Sequence, residues 1–315
     1  MKLITLNLIR IKKKIWIFSL LLILLSLSGI LMSSFYPSIR KPINLGMDYL
    51  GGNEIRLERK CEKNCSEITS DKLIEELNIK INDKNLVNNI RIQIQNDSSL
   101  LSIRTPFLNI DKSEELISDI NEIVGPINFE SKISRSIGPR LGKDLLINGG
   151  ISLLVSLLAI SIYISIRFDR KFSLLALSAL FHDLFIVFGL FSWLGIILSV
   201  EVNSLFAVAL LTIAGYSVND TVVIFDRIRE NIKTNPGLKY NKVIEISVNE
   251  TLRRTIFTSL TTLIPLLTLI LFGSYSLFWF SFALISGILI GSYSSILLAP
   301  SLLLKDEINT KYESK

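Results

Sequence analysis

Six long apolar runs punctuate the chain, at about 15–32, 146–166, 172–193, 204–225, 255–272 and 278–304. A helix rises about 1.5 Å per residue, so roughly 20 apolar residues cross a hydrocarbon layer about 30 Å thick. Each run therefore predicts a membrane-spanning helix, and the sixth has length to spare for tilt. The stretch between the first two runs, 35–145, is polar and long enough for a domain of its own.

Within that stretch the pattern predicts mixed structure. An extended segment over 43–57 leads to a helix over 71–81 that carries Leu73, Ile74 and Leu77 on one face. Alternation then sets in: 87–95 puts Ile90, Ile92 and Ile94 on one side, and 100–105 continues after the turn formers Asn96, Asp97 and Ser98. A second helix starts at Asp111, which stands at capping-box spacing from Glu114, ahead of Leu116, Ile117, Ile120 and Ile123 at helical intervals. Gly125-Pro126 ends it, and a last strand covers 127–133. Strand, helix, strand, strand, helix, strand is the order of a split βαβ, ferredoxin-like unit. The expected fold class is thus a polytopic α-helical membrane protein with an inserted α+β domain. Its segments are 1–34 (N-terminus and first helix), 35–145 (inserted domain), 146–304 (helices two to six) and 305–315 (tail).

Composition supports a membrane class, with 49% hydrophobic residues and a mean hydropathy of +0.48. Charge then orients the helices. Lys12, Lys13 and Lys14 abut the first run, Arg167, Arg170 and Lys171 separate the second from the third, and Arg227, Arg229, Lys233, Lys239, Lys242, Arg253 and Arg254 lie between the fourth and fifth. Basic short loops stay in the cytoplasm, so both termini are expected there and the inserted domain on the exported side. These loops account for the net charge of +6, and no nucleic-acid partner is expected. The first run is followed by no Ala-x-Ala site and reads as an uncleaved anchor. Cys61 and Cys65 fall in the exported domain, where an oxidising compartment permits a disulfide; the loop is short, so it reads as a local clip. No metal or cofactor is expected. No nucleophile, base and orienting group gather in the exported domain and no nucleotide-binding glycine loop occurs, so the chain is not expected to be an enzyme.

Ionisable residues inside the apolar runs are the candidates for chemistry, because a charge at bilayer depth costs several kcal/mol. Asp220, preceded by Asn219, lies six residues before the charged run that opens at Asp226, about 9 Å along a helix. Arg254, at the start of the fifth run, is placed to reach it. Pairing would hold the carboxylate ionised and separation would favour protonation, which makes a two-state proton carrier; a static ion pair between two helices, or hydrogen bonding to neighbours alone, fits the same spacing. His182 and Asp183, near the middle of the third run, and Asn219 beside Asp220 fit either a proton relay or a hydrogen-bonded packing node. Small residues mark expected close approaches at Gly149-Gly150 and at Gly287 with Gly291, a GxxxG spacing. Pro265 is expected to loosen or kink the fifth helix.

Residues 215–231, Gly-Tyr-Ser-Val-Asn-Asp-Thr-Val-Val-Ile-Phe-Asp-Arg-Ile-Arg-Glu-Asn, resemble the fourth-helix signature of the SecF family. The Thr251-Leu252-Arg253-Arg254-Thr255 block and the His182-Asp183 pair agree in order and spacing. Gly46-Met47-Asp48-Tyr49-Leu50-Gly51-Gly52 is similar to that family's Gly-x-Asp-Phe-x-Gly-Gly element, with Tyr49 in place of Phe. Ile137-Gly138-Pro139-Arg140-Leu141-Gly142 is similar to its Val-Gly-Pro-x-Leu-Gly element. The resemblance implies a six-helix half of an RND-type bundle, completed by the six helices of SecD. It also implies a role with the SecYEG translocon and the SecA ATPase, in which the proton-motive force drives the exported domains to pull an unfolded polypeptide across.

In that reading the family's functional aspartate and arginine fall on Asp220 and Arg254. Gly51, Gly52, Gly138, Pro139 and Gly142 are candidate hinges, or else tight turns. The expected setting is the plasma membrane of a bacterium, or also a thylakoid membrane in a cyanobacterium, with lipids and protons as further partners. Two other functions fit an intramembrane carboxylate: an RND-type proton-coupled exporter of a small molecule or lipid, and a passive translocon assembly factor that moves no protons.

Overall fold

A computed structural model describes residues 6–37, 39–61, 65, 68–81, 86, 90–95 and 99–304. The expected strand start at 87–89, the turn at 96–98 and the tail at 305–315 lie outside the described residues. The chain divides into two compact units, 1–44 with 150–315 and 45–149.

The smaller unit contains α2 (Met47–Leu50), β1 (Gly52–Arg59), α3 (Ser70–Lys80), β2 (Arg91–Gln95), β3 (Leu100–Thr105), α4 (Ile110–Val124) and β4 (Ile127–Ile137). Its four strands form one antiparallel sheet in the order β2-β3-β1-β4, the arrangement that the split βαβ reading implies. Alternation decides the core: Ile55 and Leu57 from β1, Leu101 and Ile103 from β3, and Ile92 from β2 meet Leu73 and Leu77 of α3 and Leu116, Ile117 and Ile120 of α4. The other sheet face is polar. Buried Glu54 there accepts hydrogen bonds from Arg56, Ser102 and Arg104.

Three local expectations need correction. The extended stretch over 43–57 is broken by α2, and β1 starts at Gly52; Gly51 and Gly52, at φ +75° and +141°, reverse the chain between them. The second helix begins at Ile110, with Asn109 rather than Asp111 at the N-cap position and no side-chain capping bond. The last strand runs to Ile137 rather than to 133. Cys61 and Cys65 are joined as a disulfide, with Cα atoms 5.3 Å apart.

Six helices among the described residues are long and apolar enough to cross a membrane, all in the larger unit except that the second begins in the smaller one. They are α1 (Leu8–Phe35), α5 (Pro139–Arg167), α6 (Arg170–Leu198), α7 (Ser204–Thr234), α8 (Tyr240–Phe272) and a composite sixth. The sixth joins α9 (Tyr275–Tyr293), a π turn (Ser294–Leu298) and α10 (Ala299–Leu303). Packing runs inside-out, as lipid solvent requires. On α1 the buried seam is Ser19, Ser26, Gly29 and Ser33, while Ile17, Leu20, Leu21 and Leu24 are exposed.

The fourth and fifth helices extend well past their apolar runs. α8 starts at Tyr240 rather than Thr255 because Val243, Ile244, Ser247, Val248, Thr251 and Leu252 make a buried stripe at helical spacing beneath the apolar part. The helix continues through Pro265. Gly287 and Gly291 do mark close approaches, whereas Gly150 faces open space in this chain.

Candidate functional site

The site is built where α6, α7, α8 and the sixth helix meet. Asp183 on α6 is fully buried. Its Oδ2 accepts from Ser217 Oγ on α7 and from Ser294 Oγ in the π turn, both at 2.6 Å. Its Oδ1 lies 2.9 Å from Nδ1 of His182. Gly291 makes room for this: a Cβ there would stand 3.6 Å from Asp183 Oδ2 and 3.3 Å from Ser217 Cβ. The π turn, a local i→i+5 winding often found at functional sites, carries Ser294 to the carboxylate.

One turn further along α7 from Ser217 is Asp220, only 3% exposed. Its surroundings are the opposite of Asp183's, because its Oδ2 is buried and accepts no hydrogen bond, and the adjacent Thr221 hydroxyl is likewise unpartnered. Arg254 stands on α8 close enough for its charge to act on Asp220. The two are nevertheless not joined by an ion pair or hydrogen bond, and Arg254 is exposed. The static ion pair allowed by the spacing is thus absent in this structure; the long side chain at the end of the apolar span carries its charged guanidinium to the exterior instead. Asn219 points out of the bundle and is exposed.

Several polar links that spacing did not single out hold these helices in register. Tyr216 Oη donates to Ser259 Oγ at 3.0 Å, and Ser259 Oγ shares a 2.7 Å bond with Ser292 Oγ, tying α7, α8 and α9 together. At the basic end, Glu250 on α8 takes Arg227 Nε and Asn231 Nδ2 of α7, each at 2.7 Å, and Asn231 also donates to Ser247 Oγ at 2.9 Å. Arg167 at the end of α5 pairs with Asp226 at 2.7 Å. Glu250 stands one turn before Arg254, and Arg227 two turns after Asp220, so this clamp fixes how the two candidate residues face each other.

The glycine-rich elements belong to the smaller unit. A Cβ on Gly51 would meet Pro139 Cα at 2.8 Å, one on Gly52 the Thr105 carbonyl oxygen at 2.4 Å, and one on Gly142 the Gly51 nitrogen at 2.8 Å. Backbone contacts this close account for these three as tight turns and close approaches. Gly138 has open space around it, and Pro139 opens α5 at the first helical position, which suits its fixed φ. Burial, and then the neighbouring Asp48 carboxylate, raises the Tyr49 phenol above its ordinary value.

Against known proteins, the family described as "Protein export membrane protein SecD/SecF, C-terminal" matches residues 117–307. The protein translocase subunit SecF of Prochlorococcus marinus is 49% identical over 303 residues, covering 95% of this chain and 94% of the relative. That of Synechocystis is 38% identical over 299 residues, covering 94% and 93%. The crystal structure of SecDF, a translocon-associated membrane protein from Thermus thermophilus, superposes with a TM-score of 0.78 at 29% identity over 99% of this chain. SecDF in a super-membrane-facing form gives 0.62 at 28% identity. The chain spans 39% of the first of these and 40% of the second.

Proposed function

The chain belongs to the SecF family of protein translocase subunits, and from that premise we propose that it couples proton movement through its membrane bundle to polypeptide export, with Asp220 as the proton carrier. It is a multi-pass membrane protein whose partner is SecD, since the solved structures that it matches carry both subunits' names and it spans little more than a third of their length.

The observation that carries the proposal is the buried, unpartnered Oδ2 of Asp220 beside the charge of Arg254. A carboxylate held this way pays desolvation without a compensating bond, so a modest movement of Arg254 toward or away from it changes which protonation state is favoured. One elementary charge crossing 100 mV releases about 2.3 kcal/mol, enough to bias a two-state bundle substantially. The basic loops support an orientation with both termini in the cytoplasm of a bacterial plasma membrane and the sheet domain on the far side. There the domain acts on an unfolded chain emerging from SecYEG after SecA has driven it in. The subunit works without a cofactor and without hydrolytic chemistry of its own.

The test is secretion under an imposed proton gradient. An Asp220→Asn complex with SecD should assemble at normal yield and lose the gradient-dependent part of export. If the variant assembles and export keeps its full dependence on the gradient, the chain is a passive assembly factor. An efflux defect with intact secretion would identify an exporter of small molecules.

A further inference from the structure

The second membrane helix stands away from the bundle for most of its length. α5 meets its neighbours at the basic end, where Ile164 and the following Phe168 are buried and Ser165 Oγ shares a 3.3 Å bond with Ser173 Oγ of α6. Over 143–163 it buries no residue. The space beside it is an open groove of about 550 Å³, walled by Ile23 of α1, Leu153 and Leu157 of α5, and Ser178, Phe181 and Phe185 of α6. These positions lie near the middle of the apolar spans, where there is no water to fill a gap.

The α6 wall has a charged end. Lys171, Leu174, Ser178, Phe181, Phe185 and Phe188 recur at intervals of three and four, so they share one helix face. The last four line the groove, Leu174 is 69% exposed, and Lys171 is exposed beside Arg170 at the start of the helix. Arg167, by contrast, is held by Asp226 at 2.7 Å. Lys171 and Phe188 are 17 residues apart, about 25 Å of helix. A bilayer with its headgroups measures about 40–45 Å, so one leaflet is about 20–22 Å deep. The stripe is thus about one lipid molecule long, cationic where a headgroup lies and apolar where a chain lies.

We infer that the groove binds one anionic phospholipid, its phosphate at Lys171 and Arg170 and an acyl chain laid along α6 between α1 and α5. Size favours a chain over a protein helix. The groove runs from Ser178 to Phe188, about 15 Å, and a helix about 10–12 Å across would need more than twice the available volume over that length. The negative headgroup follows from the basic turn, since lysine and arginine at a membrane surface each favour anionic over zwitterionic lipid.

The inference needs the membrane bundle but not the proton-carrying role of Asp220. For the test, the complex with SecD is purified in detergent, dioleoylphosphatidylglycerol or dioleoylphosphatidylcholine is added in equal amounts, and retained lipid is read by native mass spectrometry. The wild type should hold one phosphatidylglycerol about tenfold more strongly than phosphatidylcholine. Replacing the two basic residues together, Arg170→Ala with Lys171→Ala, should erase that preference. Ser178→Trp fills the groove from an exposed position whose hydroxyl bonds only its own helix, and should cut retention at least tenfold. Leu154→Trp, on the exposed outer face of α5, should leave retention unchanged. Should Ser178→Trp fail to assemble, the two surface alanines still decide the case. Equal retention of the two lipids, or a bound lipid that survives Ser178→Trp, overturns the site and leaves ordinary boundary lipid. A wild type that retains no lipid, with SecD lost from the Ser178→Trp complex, puts a SecD helix in the groove and overturns it as well.

Discussion

Asp183 and Asp220 sit on neighbouring helices at similar burial, and their partners set them apart. Asp183 has its oxygens saturated by Ser217, Ser294 and His182, whereas Asp220 has an oxygen with no donor. Removing the first leaves the Ser217 hydroxyl and His182 Nδ1 without their partner, at about 1–3 kcal/mol for each buried polar group stranded, while Ser294 keeps only the Gly291 carbonyl. Neutralising the second relieves a desolvated charge. Asp183→Ala should therefore melt well below the wild-type chain in detergent, and Asp220→Asn at or above it; the reverse order would contradict the site as described. Asp220 was legible because a lone carboxylate in an apolar run is conspicuous. Ser217 and Ser294 were not, since a serine in a membrane helix usually bonds to its own backbone one turn back, as Ser259 and Ser286 also do here, and only the fold shows which serines reach across.

Among the elements, small residues decide how closely helices meet. A Cβ on Gly189 of α6 would fall 2.3 Å from Ser26 Cβ and 2.5 Å from Ser26 Cα on α1, which only backbone movement can relieve. Gly150 on α5 has nothing within 4 Å. Gly189→Ala should cost about 1–3 kcal/mol through overpacking, while Gly150→Ala should be neutral or gain up to about 1 kcal/mol of helix propensity. Equal melting temperatures for the two variants would refute the α1–α6 contact.

The GxxxG spacing at 287 and 291 was readable, because both glycines face α7. The Gly149-Gly150 pair names a flat surface without saying what lies against it, and within this chain nothing lies against Gly150. The strand order of the sheet domain followed from period-two alternation. The start of α8 at Tyr240 did not, because hydropathy counts apolar residues and misses an amphipathic stripe beneath them.

For the whole molecule, the clamp of Arg227, Asn231 and Glu250 and the tie from Tyr216 through Ser259 to Ser292 make α7, α8 and α9 one polar-bonded group. Asp220 and Arg254 belong to that group but do not pair, so a change in protonation acts on a bundle whose register is otherwise held. That division between fixed links and one uncommitted carboxylate is the central claim. Proton flux through vesicles containing this chain and SecD tests it most directly, comparing the wild type with Asp220→Asn and Asp220→Glu at matched amounts of assembled complex. The account predicts flux abolished by Asn and retained in part by Glu, which keeps the titratable group; flux in the Asn variant equal to that of the wild type would contradict it.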